Sequence, residues 1–296
     1  MTITIGSSLS VSQIGLGAIN FGTKIIEEDA FSLMSEYVKL GGNFIDTANN
    51  YAVWNGGDGG ESERTIGMWL AQIKDREKLV IATKLGALTT DTEKGFSSME
   101  GLNRETILRS VDRSLNHLQT TIDLLYLHVD DFSTPQEETM GALAELVAQG
   151  IVKEIGCSNF FSWRIEKARQ ICQQNDWPFF SAVQQRYSYL APIMTADLFP
   201  QVALNADMES YLTEHPELTL VAYSPLLKGQ YNTAEIINPA YDTADNRQKL
   251  SELLAKEQHP NRWVLDHVTK AFDGSAALLT TSSIHHLREA MTSINE

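Results

Sequence analysis

Short apolar runs rich in β-branched and aromatic residues recur along the whole chain, at residues 43–45, 79–83, 122–127, 152–156, 182–184, 218–223 and 276–279. Each is too short for a core helix, and longer segments of helical period separate them. In residues 103–118, Ile107, Leu108, Val111, Leu115 and Leu118 recur at helical spacing behind Asn103, which reads as an N-cap. Residues 134–150, opened by Thr134-Pro135, and residues 162–175 repeat the pattern. Strand followed by helix at such intervals predicts a parallel sheet covered by helices.

A doubly wound sheet and a closed barrel share this alternation. The glycine pattern separates them: Gly15-Leu16-Gly17-Ala18-Ile19-Asn20 has the first two glycines of a dinucleotide-binding turn but Asn20 at the third, and no helical pattern begins there. No Ser/Gly/Pro-rich tract or like-charge block marks a linker, so residues 1–296 read as one domain. α/β barrels are among the folds that stay whole at this length. Residues 2–6 and 9–15 read as a β-hairpin ahead of the first barrel strand. The expected fold is therefore an α/β (β/α)8 TIM barrel with an N-terminal β-hairpin.

Composition narrows the function. With 23 Lys plus Arg against 38 Asp plus Glu the net charge is −15, which repels phosphate backbones and anionic lipid heads. Neither a nucleic acid nor a membrane is expected as partner. No apolar stretch approaches the roughly 20 residues of a membrane helix, and the first residues lack a signal-peptide pattern. Two cysteines, Cys157 and Cys172, make neither a disulfide framework nor a four-ligand zinc site, so a cytoplasmic protein is expected. The seven histidines show no metal spacing, and no catalytic metal is expected. His117, His285 and His286 read as solvent-facing helix residues, and Cys157 as a buried packing residue.

Parallel barrels collect catalytic side chains at the carboxyl ends of their strands. Three expected strands run into ionisable residues there, namely Asp46, Lys84 and His128, and Tyr51 follows Asp46 on the loop leaving its strand. The set suits hydride delivery to a carbonyl carbon, because the oxygen must gain a proton as the carbon gains the hydride. Tyr51 is the expected donor. A phenol of pKa about 10 is a poor acid, and an ammonium at Lys84 is expected to ease its ionisation. Asp46 balances the lysine, and His128 orients the substrate oxygen. Taken singly, each residue has a plainer reading, as a cap, a surface lysine, a core histidine or a loop aromatic.

These residues resemble the aldo-keto reductase superfamily, (β/α)8 barrels that reduce aldehydes and ketones with NADPH, less often NADH. The resemblance spans nearly the whole chain: Gly15-Leu-Gly-Ala, Asn43-Phe-Ile-Asp-Thr-Ala-Asn-Asn-Tyr51, Gly60-Glu-Ser-Glu, Ala82-Thr-Lys84, Asp123-Leu-Leu-Tyr-Leu-His128, Gly156-Cys-Ser-Asn-Phe160, Gln184 to Ser188, and Ala222-Tyr-Ser-Pro-Leu226. The family's Asp, Tyr, Lys and His tetrad falls on Asp46, Tyr51, Lys84 and His128. The resemblance further implies that Ser158, Asn159 and Gln184 hydrogen-bond the nicotinamide carboxamide and that Tyr223 stacks on the ring. Ser224 to Leu226, with Lys228 and Gly229, match the loop bordering the pyrophosphate, although Lys228 reads equally as a solvated loop charge.

The last unit departs from the pattern. Where NADPH-preferring relatives place cations around the 2′-phosphate, this chain has Thr280 and His286. Thr281, Ser282 and Ser283 still offer donors at a helix N-terminus, and Arg288 is close in sequence. Glu289 matches a position near the adenine. NADPH use with weaker exclusion of NADH is the expectation. Phe21, Trp54 and Tyr187 are candidate pocket walls, and Val129 stands where many relatives carry tryptophan, which implies a more tolerant pocket. The expected activity is reduction of a small-molecule carbonyl by a monomer or weak homo-oligomer. The alternative is an NADP(H)-binding regulatory or redox-sensor subunit with little turnover.

Overall fold

The computed structural model describes residues 1–91 and 93–292. The chain begins with an antiparallel hairpin of β1 (Thr2–Ile5) and β2 (Leu9–Ser12), joined through a turn in which Gly6 takes a φ of +61°. Eight parallel strands then close into a barrel: β3 (Ile14–Gly17), β4 (Phe44–Asp46), β5 (Val80–Leu85), β6 (Ile122–Leu127), β7 (Val152–Ser158), β8 (Ala182–Arg186), β9 (Thr219–Tyr223) and β10 (Ala276–Leu279), with β10 pairing β3. The helices around it are α1 (Glu27–Lys39), α2 (Glu61–Leu70), α3 (Arg104–Leu118), α4 (Gln136–Ala148), α5 (Ser162–Asn175), α6 (Ala206–Glu214), α7 (Ala244–Lys256), α8 (Pro260–Thr269) and α9 (Ile284–Thr292). This is the (β/α)8 barrel with an N-terminal hairpin expected from the repeat.

The expected hairpin needs one correction. Its second strand ends at Ser12 rather than residue 15, and Ile14–Gly17 is the first barrel strand. Gln13 makes the transfer: its amide bonds the Met1 carbonyl, its carbonyl accepts from the Ala277 amide at 2.7 Å, and its side chain reaches the Thr269 carbonyl at 2.9 Å. Neither proline nor glycine marks that junction, so local pattern runs the two strands together.

Two apolar layers follow from the period of two along the strands. Outward residues such as Ile45, Ile81, Leu125 and Ile155 pack beneath the helices with Ile107, Val111 and Leu143. Inward residues Phe44, Val80, Leu124, Tyr126, Val221 and Leu278 fill the barrel, where they meet Ile5, Leu9 and Val11 of the hairpin. The hairpin therefore plugs the amino-terminal end, and polar inward residues gather at the opposite end. Helix α3 starts where the Asn103 side chain accepts from the Thr106 amide at 2.9 Å, as its N-cap position predicts. Among the described residues no helix is long and apolar enough to cross a membrane.

Candidate active site

Asp46 is the last residue of β4, Lys84 the penultimate residue of β5, and His128 directly follows β6. Lys84 is wholly buried and its ammonium uses three acceptors: Asp46 Oδ1 at 2.5 Å, the Thr47 carbonyl at 2.6 Å and Tyr51 Oη at 2.8 Å. An ammonium has three protons, so this geometry exhausts it. Because Tyr51 Oη accepts from Lys84, its own O–H is left to point elsewhere. The Tyr51 ring stands edge-on to the His128 imidazole, with centroids 6.0 Å apart. The structure thus brings together the three residues selected at strand ends and Tyr51 of the loop that follows β4.

The electrostatics differ in one respect from expectation. Burial pushes the Tyr51 phenol above its ordinary value, and Lys84 pulls it back only in part. Lys84 eases ionisation of the phenol as expected, but removal of water, which the residue pattern does not show, outweighs it. Burial likewise opposes the Lys84 charge, but Asp46 and Tyr51 together hold that ammonium above the usual lysine value. His128 is driven well below the ordinary histidine range by burial, with Lys84 adding to it, so the imidazole is neutral. Its Nδ1 finds no hydrogen-bond partner among the described residues.

The loop carrying Tyr51 is held from outside the barrel. Tyr51 bridges Gly60, and the glycine-rich stretch between them is tied by Asp58, whose carboxylate takes the Arg64 guanidinium at 2.8 Å and the Gly60 amide at 2.8 Å. Glu63, fully buried on α2, accepts from Thr83 Oγ1 at 2.6 Å and sits 3.1 Å from His117 Nδ1. His117 is therefore not solvent-facing as expected: its ring closes over a buried carboxylate that needs a partner.

Around the mouth, Gln184 donates Nε2 to Asp46 Oδ2 at 3.0 Å. Ser158 ends β7, and Asn159 follows it at a φ of +60°. The Asn159 side chain donates to the His128 carbonyl and to Ser158 Oγ, and accepts from Tyr223 Oη at 2.7 Å and the Val202 amide at 3.0 Å. Ser158, Asn159, Gln184 and Tyr223 are thereby linked to one another and to the tetrad. Past β9, Ser224, Leu227, Lys228 and Gly229 all take positive φ, folding the loop through Leu226 into consecutive tight turns; Lys228 stays exposed.

At the start of α9, Thr281 Oγ1 accepts from the Ser283 amide, Ser283 Oγ accepts from the His286 amide, and Ser282 is exposed beside them. Arg288 points away, pairing with Glu36 of α1 at 2.8 Å, and Glu289 lies on the exposed face 3.5 Å from His285. Of the pocket candidates, Phe21 is packed into the outer core and Val129 is buried at 7% exposure. Trp54 is half exposed and edges onto the Tyr51 ring at 6.2 Å, whereas Tyr187 lines an outer cleft with Trp263, His267 and Lys270. Tyr126, fully buried inside the barrel, was not singled out from sequence. Its position two residues before His128, on the same face of β6, is the signal that could have found it.

A family model described as the aldo/keto reductase family matches residues 13–296. The chain is 34% identical over 239 residues to a norsolorinic acid reductase of Emericella nidulans, covering 77% of this chain and 57% of that protein. It is 36% identical to an uncharacterized oxidoreductase of Bacillus subtilis, covering 75% and 65%, and 31% identical to an aryl-alcohol dehydrogenase of Pestalotiopsis microspora, covering 89% and 65%. It thus spans less than two thirds of the length of these relatives. A solved thermostable aldo-keto reductase in complex with the inhibitor epalrestat matches with a TM-score of 0.73 at 25% identity, over 100% of this chain and 94% of that one. The holo form of an aldo-keto reductase from Bacillus halodurans matches in fold, with a TM-score of 0.77 at 22% identity over 100% and 91%.

Proposed function

The chain belongs to the aldo/keto reductase family, and from that premise we propose that it reduces an aldehyde or ketone to the alcohol with NAD(P)H, using Tyr51 as proton donor. The observation that carries the reading is the buried Lys84 ammonium, held by Asp46 and donating to Tyr51 Oη at 2.8 Å. The donor set fits a nicotinamide. Gln184, Ser158 and Asn159 carry amide and hydroxyl groups of the kind that bind a carboxamide, and Tyr223 Oη donates to Asn159 Oδ1 among them. Bound NAD(P)H would supply the hydride.

The protein's own contribution follows from the geometry. Burial keeps Tyr51 neutral and therefore loaded with a proton at working pH. When charge develops on the carbonyl oxygen, Tyr51 gives up that proton, and the adjacent Lys84 ammonium stabilises the phenolate that remains. Asp46 keeps the lysine charged in a site without water. A neutral His128 donates a hydrogen bond to the substrate oxygen and so directs it toward Tyr51. At the adenosine end, hydroxyls of Thr281, Ser282 and Ser283 offer donors, while Arg288 is turned to Glu36. That arrangement supports NADPH use with weak exclusion of NADH. The working unit in this reading is a cytoplasmic monomer or weak homo-oligomer acting on a small molecule.

The test follows NADPH and NADH oxidation with a carbonyl panel that includes aryl aldehydes, as the name of one relative suggests. Tyr51→Phe is expected to cut turnover by about 10²–10⁴-fold while nucleotide affinity stays within twofold. Full activity in Tyr51→Phe would refute the donor assignment. Nucleotide binding by a wild type that reduces no carbonyl would favour a sensor instead.

A further inference from the structure

The acceptors of the Lys84 ammonium come from the end of β4 and the loop beyond it, and the lysine itself from β5. One element outside the barrel touches all of these segments. Helix α2 has Gly60 as its N-cap and begins Glu61-Ser62-Glu63. Gly60 pairs through its backbone with Tyr51 itself. Ser62 Oγ donates its only proton to the Ala18 carbonyl at 2.8 Å, so in its 2.7 Å contact with Thr47 it accepts from Thr47 Oγ1. The carbonyl of that same Thr47 is the second acceptor of Lys84, at 2.6 Å. Glu63 Oε1 accepts from Thr83 Oγ1 at 2.6 Å, and Thr83 directly precedes Lys84 in β5.

Successive strand residues face opposite ways, so with Lys84 turned into the barrel Thr83 must face the helices. An apolar side chain on α2 would be enough to pack against it there. The chain instead buries a carboxylate, and Thr47, Ser62, Glu63 and Thr83 are all shut off from water. Such a carboxylate is costly unless its oxygens are bonded. The second oxygen of Glu63 takes His117 Nδ1 at 3.1 Å. What the carboxylate adds is stiffness, because a hydroxyl bonded to it is held closer, at about 2.5–2.7 Å, than one bonded to a neutral group. Stiffness matters at a catalytic centre, where a misplacement of about 1 Å lowers the rate by about 100-fold.

We propose that Ser62 and Glu63 are positioning residues for the proton donor: Ser62 through Thr47 and Glu63 through Thr83 fix where the Thr47 carbonyl and the Lys84 ammonium stand. With Gly60 holding the Tyr51 loop, α2 thereby sets the 2.8 Å contact between Lys84 and Tyr51 Oη. Both side chains act through neighbours of the tetrad rather than on the reacting atoms. The proposal rests on the reading of Tyr51 as donor.

Thr83→Val, Thr83→Ser, Ser62→Ala and Tyr51→Phe in the full chain test it, with NADPH and the fastest carbonyl of the panel above. Thr83→Val keeps the shape but takes the hydroxyl from Glu63, and kcat should fall about 10- to 100-fold. KM and NADPH affinity, the latter by fluorescence titration, should stay within about twofold. Thr83→Ser restores the hydroxyl and should return kcat to within about threefold of wild type. Ser62→Ala should show the same split at about three- to tenfold, and it carries the test if Thr83→Val does not fold. In ligand-free protein with isotope-labelled lysine, the NMR signal of the Lys84 ammonium, identified by its loss in Lys84→Met, should move in Thr83→Val and return in Thr83→Ser. A folded Thr83→Val with wild-type kcat or an unmoved ammonium signal, an equal loss in Thr83→Ser, or NADPH affinity falling in step with kcat would overturn the proposal. Full turnover in Tyr51→Phe would instead overturn the donor reading beneath it.

Discussion

Breaking the Lys84–Asp46 pair asks whether it exists for chemistry or for stability. Both side chains are at most 1% exposed and their charges meet at 2.5 Å. Lys84→Met keeps most of the side chain's volume but leaves the Asp46 carboxylate with only the Gln184 amide at 3.0 Å. Asp46→Asn keeps the shape but leaves the ammonium with two neutral acceptors, the Thr47 carbonyl and Tyr51 Oη. Stranding one member of a buried pair costs about 3–5 kcal/mol. With an unfolding entropy of about 2.1 cal/mol/K per residue over 296 residues, each single variant should lose roughly 5–8 °C in Tm. The double variant strands no charge, and replacing a whole buried pair ranges from neutral to stabilising. It should therefore melt no more than about 3 °C below wild type, and up to about 6 °C above it. Calorimetry on the four proteins measures this, and carbonyl reduction should be lost in all three variants. Single variants that melt with wild type, or a double variant that shows the sum of both losses, would refute the reasoning.

His128 gives a pH test. Its folded value lies well below the ordinary 6.5 because of burial and Lys84, so the unfolded chain binds its proton first as pH falls. Stability from this group is complete above 6.5 and declines below it, so the stability of His128→Gln relative to wild type in urea unfolding should rise from about pH 7.5 to about 5.5. A constant difference would contradict the buried neutral imidazole. At the helix level, Asn103→Ala removes the acceptor of the Thr106 amide and should cost about 1 kcal/mol by denaturant titration. A change well below about 0.5 kcal/mol would remove that role.

Much of the architecture could be read from local pattern because a strand buried between the outer helices and the packed barrel interior has to be apolar through most of its length, and Ile122–Leu127 and Ala276–Leu279 have the bounds their apolar runs predict. The junction at Gln13 could not, since its partners Met1, Thr269 and Ala277 come from both ends of the chain. The tetrad was legible for a related reason: parallel strands end on one face, so ionisable residues at strand ends must share a mouth. His117 and Arg288 misled because an exposed-looking helix position says nothing about the neighbouring helix, and Glu63 and Glu36 stand on those neighbours.

Residue order alone determined the repeat and the identity of four convergent polar groups, because both depend on period and on strand direction, whereas the pairing of β10 with β3 closes the barrel in three dimensions. The tertiary structure decided the balance of charge within that convergence. Burial raises the Tyr51 phenol, Lys84 survives as an ammonium only through Asp46, and Tyr126 reaches across the gap left by Gly156. Such effects depend on distance and on the exclusion of water, and both arise only when strands far apart in sequence are brought side by side.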